Sequence, residues 1–498
     1  MNPPESQKHM LSKSTFIRGL QCPKSLWLYK HHYKLRDIIS LKQESIFVQG
    51  TNIGLLARQL FDGGIDASPP DNFNYLQSVN DTYKYINEEH EVIYEAAFQS
   101  KQVLAAIDLL VKRANKWYAF EVKSTTSVKK EHLIDAALQY FIITNCGIEL
   151  SDFFIIHLNR KYKKNGYLDI HSLFTEKSVL SEILSLQVFI KDTIKQLLNC
   201  TQSDLMPSIG IGMHCYQPYP CDFLGTCWKQ VPENSIFELC GRGGFSIATE
   251  LYKKGIKNFE NLPEGLELDA DQYKQIESYL TNTPIIEKEE IRSFFNSLSY
   301  PLHFLHIEEF STAIPEYDNT SPYQHLPFQY SLLILQETGE IQKFSFISEF
   351  GKDPRIQFSS SLLFNIHKSG SIVVYDSNIM QVLKLLIGHF PEFANQLNEF
   401  TNRVVDASIP IKNKSYYNSL LKGGYDKNKV IPSFVPQYNY ESCKKNFGLE
   451  AGQIFINISK QEDDKMKDEI KAKLVEYSNK EAEGIFIIWK GLKDITLN

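Results

Sequence analysis

The stretch Val103–Lys123, VLAAIDLLVKRANKWYAFEVK, decides how this chain is read. It holds two runs rich in β-branched, apolar and aromatic residues, Val103–Arg113 and Lys116–Lys123, separated by Ala114 and Asn115. Two residues between two such runs predict a tight hairpin. With Ala114 and Asn115 as the turn, Arg113 faces Lys116 and, counting outward, Asp108 faces Glu121. Side chains alternate along a strand, so Asp108, Glu121 and Lys123 share one face. Ile107, Leu109, Val111, Phe120 and Val122 take the other and suit a core. Two carboxylates directly opposite repel each other. A divalent ion between them removes the conflict, because Mg²⁺ or Mn²⁺ takes one or two carboxylates and fills its shell with water and phosphate oxygens. Lys123 is then placed to steady an attacking water or the charge growing on a phosphorus. Charged residues on the open face of a hairpin are ordinary, so the pattern takes its weight from its surroundings.

At 498 residues the chain has room for two or three domains. It is 43% hydrophobic and 22% charged, the balance of a globular rather than a disordered protein. The net charge of -6 gives no global argument for nucleic-acid binding, so a binding groove has to be locally basic. Lys129-Lys130 and Arg160–Lys164 (RKYKK) are such local runs. No apolar run reaches membrane-spanning length, and the opening MNPPESQKHM lacks the apolar region of a signal peptide, which predicts a cytosolic protein. In that compartment eight cysteines point to metal ligands or free thiols rather than disulfides. The phosphate-binding pattern GxxxxGK[ST] does not occur, so any unwinding has to come from a partner.

Upstream of the hairpin, Met1–His9 is polar and predicted loose. Ser12 or Ser14 can cap a helix running through FIRGLQCPKSLWLYKHH, which carries Cys22 followed by Pro23. In Ile46–Phe61, Phe47, Ile53, Leu56, Ala57 and Leu60 are spaced for one helix face. Gly50 and Gly54, one turn apart, permit close approach of another backbone, and Gly63-Gly64 end the helix. Tyr75–Asn87 reads as a third helix. Glu91–Ser100 alternates as a strand and brings Glu95 toward Asp108 as a further acid. Downstream, Lys130–Asn145 is a helix with an apolar stripe of Leu133, Ala136, Ala137, Tyr140 and Phe141. Gln139 beside it can touch DNA or a metal-bound water. Phe153–Leu158 is a buried strand, parallel to the hairpin because a helix intervenes. A long helix, Lys177–Leu198, follows.

The second informative stretch is HCYQPYPCDFLGTCW, 214–228, in which Cys215, Cys221 and Cys227 are spaced C-x5-C-x5-C. Thiolates select zinc or an iron–sulfur cluster, and the paired C-x2-C knuckles of a zinc ribbon are missing. A fourth ligand comes from Cys22, or from His214 in a zinc Cys3His set. Cys146, Cys200, Cys240 and Cys443 read as core or free thiols.

Taken together, GLQCPKSLW with Cys22, FVQGTNIGLLARQLF, AAIDLL with Asp108, FEVKS with Glu121 and Lys123, and LQY with Gln139 lie between the first cysteine and the other three. Over residues 11–235 this order resembles the iron–sulfur RecB-like PD-(D/E)xK nucleases, among them the CRISPR-associated RecB-family exonucleases and the nuclease domains of AddB-type helicase–nucleases. The resemblance implies an α/β restriction-endonuclease-like core. Asp108 and Glu121 would hold Mg²⁺ or Mn²⁺, Lys123 would position water, and Glu95 and Gln139 would assist. Cys22, Cys215, Cys221 and Cys227 would bind a structural [4Fe–4S] cluster that staples the two ends of the domain. It further implies DNA, single-stranded or with free ends, as substrate, a helicase or other protein supplied in trans, and a place in bacterial DNA repair, recombination or antiviral defence. The first cysteine spacing is wider than in those relatives, which leaves Zn²⁺ as the alternative.

Residues 236–297 read as a helical connector with turns at Gly241–Gly244 and Pro263–Gly265. Within it, Leu251–Leu262 resembles a helix-hairpin element suited to a phosphate backbone or to packing. From residue 298 the order βββαβα, with a closing helix near Lys465–Lys493, resembles an RNase H-like, DEDD-exonuclease domain. Such a domain needs D-x-E on its first strand, an acid after the fourth and one on the last helix. Here the first strand reads His306-Ile307-Glu308; Met380 stands where the later acid belongs, with Asp376 close by; RVVD brings Asp406, at the end of a helical run; and Glu481 lies in the last helix. An imidazole in place of a carboxylate disfavours Mg²⁺. The expectation is a nuclease fused to an inactive DEDD-like binding or scaffolding module, as in a family of bacterial proteins. The other class of function is a non-catalytic nucleic-acid-binding subunit of a larger DNA-processing or defence complex.

Overall fold

The computed structural model describes residues 9–71, 75–438 and 450–497. The predicted loose start, apart from His9, and Cys443 lie outside the described residues. The described chain is mixed α/β, and no helix among the described residues is long and apolar enough to cross a membrane. It divides into two compact units: residues up to Gln230 together with Ala313–Tyr323, and Val231–Thr312 together with Gln324 onward.

In the first unit the elements run β1 (Leu11–Ser12), α1 (Lys13–Gln21), α2 (Pro23–His31), α3 (Leu41–Ala57), β2 (Ile65–Asp66), α4 (Tyr75–Asn87), β3 (Val92–Ser100), β4 (Val103–Arg113), β5 (Lys116–Lys123), α5 (Lys130–Asn145), β6 (Leu150–Leu158) and β7 (Phe174–Ser178), followed by helices Leu180–Ser185 and Gln187–Gln202. The sheet order is β2-β3-β4-β5-β6-β7, with β1 on β4. The hairpin β4–β5 has the predicted register, Arg113 opposite Lys116 through Leu109 opposite Phe120. Its turn residues Ala114 and Asn115 both take the left-handed backbone that a two-residue turn of this kind requires. Strand β6 is parallel to β5, as the intervening helix dictates.

Three expectations are corrected. The helix through Cys22 is two helices, because Pro23 has no N–H to continue the ladder and serves instead as the first residue of α2. Gly50 and Gly54 meet nothing within 4 Å, and Phe47 is exposed, so α3 packs through Ile53 and Ala57 without a close backbone contact. The run predicted as one helix from Lys177 begins as the end of β7, paired to β6 through Phe154 opposite Ser178.

Both faces of the sheet are covered. Ala136, Ala137, Leu138 and Ile142 of α5 pack with Leu110 and Ala119, residues on the acid-bearing face, while Ile53 and Ala57 of α3 pack with Leu109, Val111 and Phe120 on the other. The acid-bearing face is therefore roofed by α5.

In the second unit, Ile236, Leu239, Ala248, Leu251, Phe259 and Ile276 of the connector form a small core of their own, while Ile291 joins the larger one. The short strand β8 (Ile285–Ile286) precedes β9 (Leu302–Phe310), β10 (Leu326–Leu335), β11 (Ile341–Ile347), β12 (Ile372–Val374) and β13 (Val404–Asp406). Their order is β11-β10-β9-β12-β13. Strands β9, β10 and β11 are antiparallel, and β12 and β13 add in parallel, which is the expected βββαβ succession. Helix Asp464–Leu497 lays Ile485, Ile488 and Leu492 on one face. Helices Arg355–Asn365, Ile379–His389 and Ala394–Thr401 cover the other through Phe358, Leu362, Leu383 and Leu397. Val404 and Val405, placed in a helix by their sequence context, are strand residues paired with Ile372 and Val373.

Candidate active site

The hairpin delivers Asp108 to an opening in the sheet. Pairing of β4 with β5 stops at Leu109 opposite Phe120, and β4 is next paired where β1 joins it at Val103 and Leu104. On the other side the ladder with β3 skips Glu95, whose backbone is left-handed at φ 55°. Asp108 and Glu121 are thus not a flat cross-strand pair. The strands separate there, and the Asp108 Oδ2 accepts the Val122 N–H at 2.6 Å.

Glu121 is the centre of the cluster and is 1% exposed. Its Oε1 accepts from Lys123 Nζ and from Lys13 Nζ, each at 2.7 Å. Its Oε2 is buried with no hydrogen-bond partner. Lys123 also donates to Asp135 Oδ2 at 2.5 Å, and Asp135 Oδ1 accepts from Gln139 Nε2 at 3.3 Å. Asp135 and Gln139 are one turn apart on α5 and both face the sheet. Glu95 stands within electrostatic range of Asp108 and Glu121, and Arg58 holds it at 3.4 Å while pairing with Asp66 at 2.6 Å.

The charges follow from these contacts. Burial and then the Glu121 charge push the Asp108 carboxyl up to about 8. Burial also opposes ionisation of Glu121, but the Lys123 and Lys13 ammonium groups outweigh it and hold that carboxyl well below the usual range. For Lys123, burial disfavours the charge, and Asp135 and Glu121 more than restore it, so it stays protonated.

Sequence reasoning therefore found Asp108, Glu121, Lys123, Glu95 and Gln139, and the fold brings all five together. Of the two contacts expected of Gln139, burial closes the one with DNA, since it is 0% exposed and donates to Asp135; the one with a metal-bound water stays open to it. Lys13, Asp135 and Arg58 were missed. A signal for Asp135 was present, since Asp135 and Gln139 are strongly polar residues four apart within the otherwise apolar and aromatic run Leu133–Ile143.

Cys22, Cys215, Cys221 and Cys227 line one small cavity together with Ser25, Phe223 and His214. Cys22 is the residue between α1 and α2. The loop bearing the other three is tied back by Arg18 and Arg36, which reach Asp222 Oδ2 at 2.6 and 2.7 Å. Gln21 Nε2 adds bonds to the carbonyls of His214 and Tyr219. Cys221 N–H donates to the Cys215 carbonyl at 2.8 Å. Four cysteines on one cavity are the donor type that a thiolate-bound cluster takes, and His214 on the same wall is a donor type of a zinc Cys3His set. All seven described cysteines are free of disulfides, and Cys146, Cys200 and Cys240 do not line this cavity. Among the described residues, no group of three or more His, Cys, Asp or Glu side chains stands close enough, as placed, to hold a metal ion.

In the second unit the acids are already engaged. Glu308 Oε1 accepts from His306 Nε2 at 2.7 Å, Glu481 pairs with Lys427, and Lys412 reaches Asp376 at 2.6 Å and Asp406 at 3.4 Å. Asp406 also takes the N–H groups of Asp376 and Ser408. Met380 is 39% exposed at the start of its helix.

The sequence pattern of a family described as Domain of unknown function (DUF2779) matches residues 303–426, all of which except Ala313–Tyr323 belong to the second unit. No curated protein matches the chain. Among solved structures, one titled "Crystal structure of SSO0001" is 11% identical, with 41% of this chain and 82% of that chain covered and a TM-score of 0.22, a likeness too slight to carry an argument about fold or function.

Proposed function

We propose that the chain is a Mg²⁺- or Mn²⁺-dependent nuclease that hydrolyses phosphodiester bonds of DNA, with its chemistry in the first unit. The observation that carries this reading is the Glu121 Oε2: a buried carboxylate oxygen, without partner, beside Asp108 and under two ammonium groups. Asp108 and Glu121 would hold the ion, which supplies Lewis-acid polarisation of the phosphate and an acidified water. Lys123 is not the base, because Asp135 and Glu121 keep it charged; it donates hydrogen bonds to the water or to the charge building on phosphorus. Gln139 and Asp135 fix its direction. Exposed Lys129, Lys130, Arg160, Lys161 and Lys163 supply local positive charge for a backbone, in a chain whose net charge does not. Incubating the full-length protein with single-stranded, duplex and RNA substrates, with Mg²⁺, Mn²⁺ or EDTA, tests the reading. Metal-dependent cleavage supports it, and cleavage of none sinks it.

The four cysteines are proposed to hold a structural [4Fe–4S] cluster, and the second unit to bind or scaffold without chemistry. Two-metal cleavage needs several free carboxylates; here His306, Lys427 and Lys412 already answer Glu308, Glu481 and Asp406. Glu308→Ala is accordingly expected to leave the cleavage rate of the full-length protein within twofold or so of wild type. A variant that lost activity while Asp108→Asn kept it would reverse the assignment of the two units.

A pH dependence follows from Asp108. Metal and proton compete for the same carboxylate, so below about 8 each ion bound releases one proton. Mn²⁺ affinity is expected to rise about tenfold per pH unit up to that point and then level off. Glu121, held ionised by its lysines, adds nothing to this slope at neutral pH. Calorimetric titrations from acid to mild alkali read the slope directly.

A further inference from the structure

Lys13 is the first residue of α1, where its charge opposes the helix macrodipole, so helix stability does not explain it. Its backbone is nevertheless firmly placed: Ser12 and Thr15 form a reciprocal cap, and β1 pairs with β4 immediately before it. Two ammonium groups share the Oε1 of Glu121, while Oε2 has no partner. Like charges on one oxygen beside an empty one make sense if the carboxylate has a further cation to meet. The two lysines are not equivalent. Lys123 has a second anchor in Asp135 at 2.5 Å, whereas Lys13 stands 4.0 Å from the same oxygen. The Lys13 side chain is also the more exposed, at 32% against 19%.

We propose that Lys13 is a movable cation of the site: it neutralises Glu121 while no ion is bound, yields that carboxylate to the divalent ion, and then meets the phosphate of the nucleic acid. This rests on the nuclease reading. The lysine whose second ion pair is the longer, 4.0 Å to Asp135 against 2.5 Å for Lys123, and whose side chain is the more exposed is the one freer to turn outward, and the outward side is where a phosphodiester arrives.

The test uses full-length wild type, Lys13→Ala and Lys13→Arg. Mn²⁺ is titrated by calorimetry, and a fluorescein-labelled single-stranded oligodeoxynucleotide is titrated by anisotropy in saturating Ca²⁺. Lys13→Ala should bind Mn²⁺ about fivefold tighter, because a competing cation has gone. It should bind the oligonucleotide more weakly, with a salt slope shallower by about 0.7. Lys13→Arg keeps a cation there and should match wild type in oligonucleotide binding, with Mn²⁺ affinity no higher than wild type. Unchanged or weaker Mn²⁺ binding by Lys13→Ala, or tighter Mn²⁺ binding by Lys13→Arg, overturns the exchange. Tighter Mn²⁺ binding with unaltered oligonucleotide binding overturns the phosphate role. If wild type binds no Mn²⁺ at all, the nuclease reading itself falls, which the variants then do not need to decide.

Discussion

Replacing Asp108 by Asn and Glu121 by Gln together is expected to lower metal-dependent cleavage by roughly 10³-fold or more, the scale on which single electrostatic groups act at such sites. Isosteric amides are the right probes. Glu121 is 1% exposed and carries two ammonium groups, so truncation to Ala would leave Lys13 and Lys123 facing Asp135 alone. Uncompensated buried charge destabilises strongly, and a loss of activity would then report unfolding. The Gln variant keeps the shape and one acceptor oxygen. Lys123→Ala should lower cleavage to a similar degree, while leaving Asp108 and Glu121 in place for Mn²⁺. Full cleavage by the double amide variant, with its circular dichroism intact, would remove the active-site assignment.

Cys22→Ser should change the protein as much as Cys215→Ser does, although the two lie far apart in sequence. Purified without oxygen, the wild type is expected to be brown with broad visible absorption, and either variant colourless. The cavity they share joins the α1–α2 junction to the loop carrying Cys215, Cys221 and Cys227. Losing the ligand set should therefore release that loop, whose own apolar anchoring is small: Phe223 against Trp27 and Leu28. A fall of about 10 °C in the melting midpoint of the first unit is expected, what a loss of ~4 kcal/mol produces in a domain of that size. Because α1 also carries Lys13, cleavage should fall with it. A colourless wild type with one bound zinc would favour the set that includes His214, and His214→Ala should then release the metal.

Much of this was legible in the chain alone. The hairpin was decided by local rules: a two-residue turn and period-two alternation set its register. Asp108, Glu121 and Lys123 were picked out by that alternation, although the pairing ends one residue short of the expected Asp108–Glu121 pair, and the parallel strand after α5 followed from the helix between. The spacing of three cysteines named the loop that lines the cavity, and the strand succession of the second half was read from alternation and length.

What local rules could not reach is what comes from across the fold. Lys13 lies 108 positions from Glu121, and no periodicity in its own helix marks it. Asp135 acts through the face α5 turns to the sheet; the stripe through Leu133, Tyr140 and Phe141 pointed a little aside, and those three are only half-buried. The choice of face was made by packing against β3, β4 and β6, which fills much of the sheet's acid-bearing side and excludes water from Glu121, while Asp108 stays partly exposed. That exclusion is what turned an ordinary pair of hairpin carboxylates into groups with opposite proton affinities, Asp108 pushed up and Glu121 held down. The residue types and their register were determined by the sequence by itself. Which cations answer them, and how far from water they stand, only the tertiary structure decided, because electrostatic partners are chosen by distance in space and by burial.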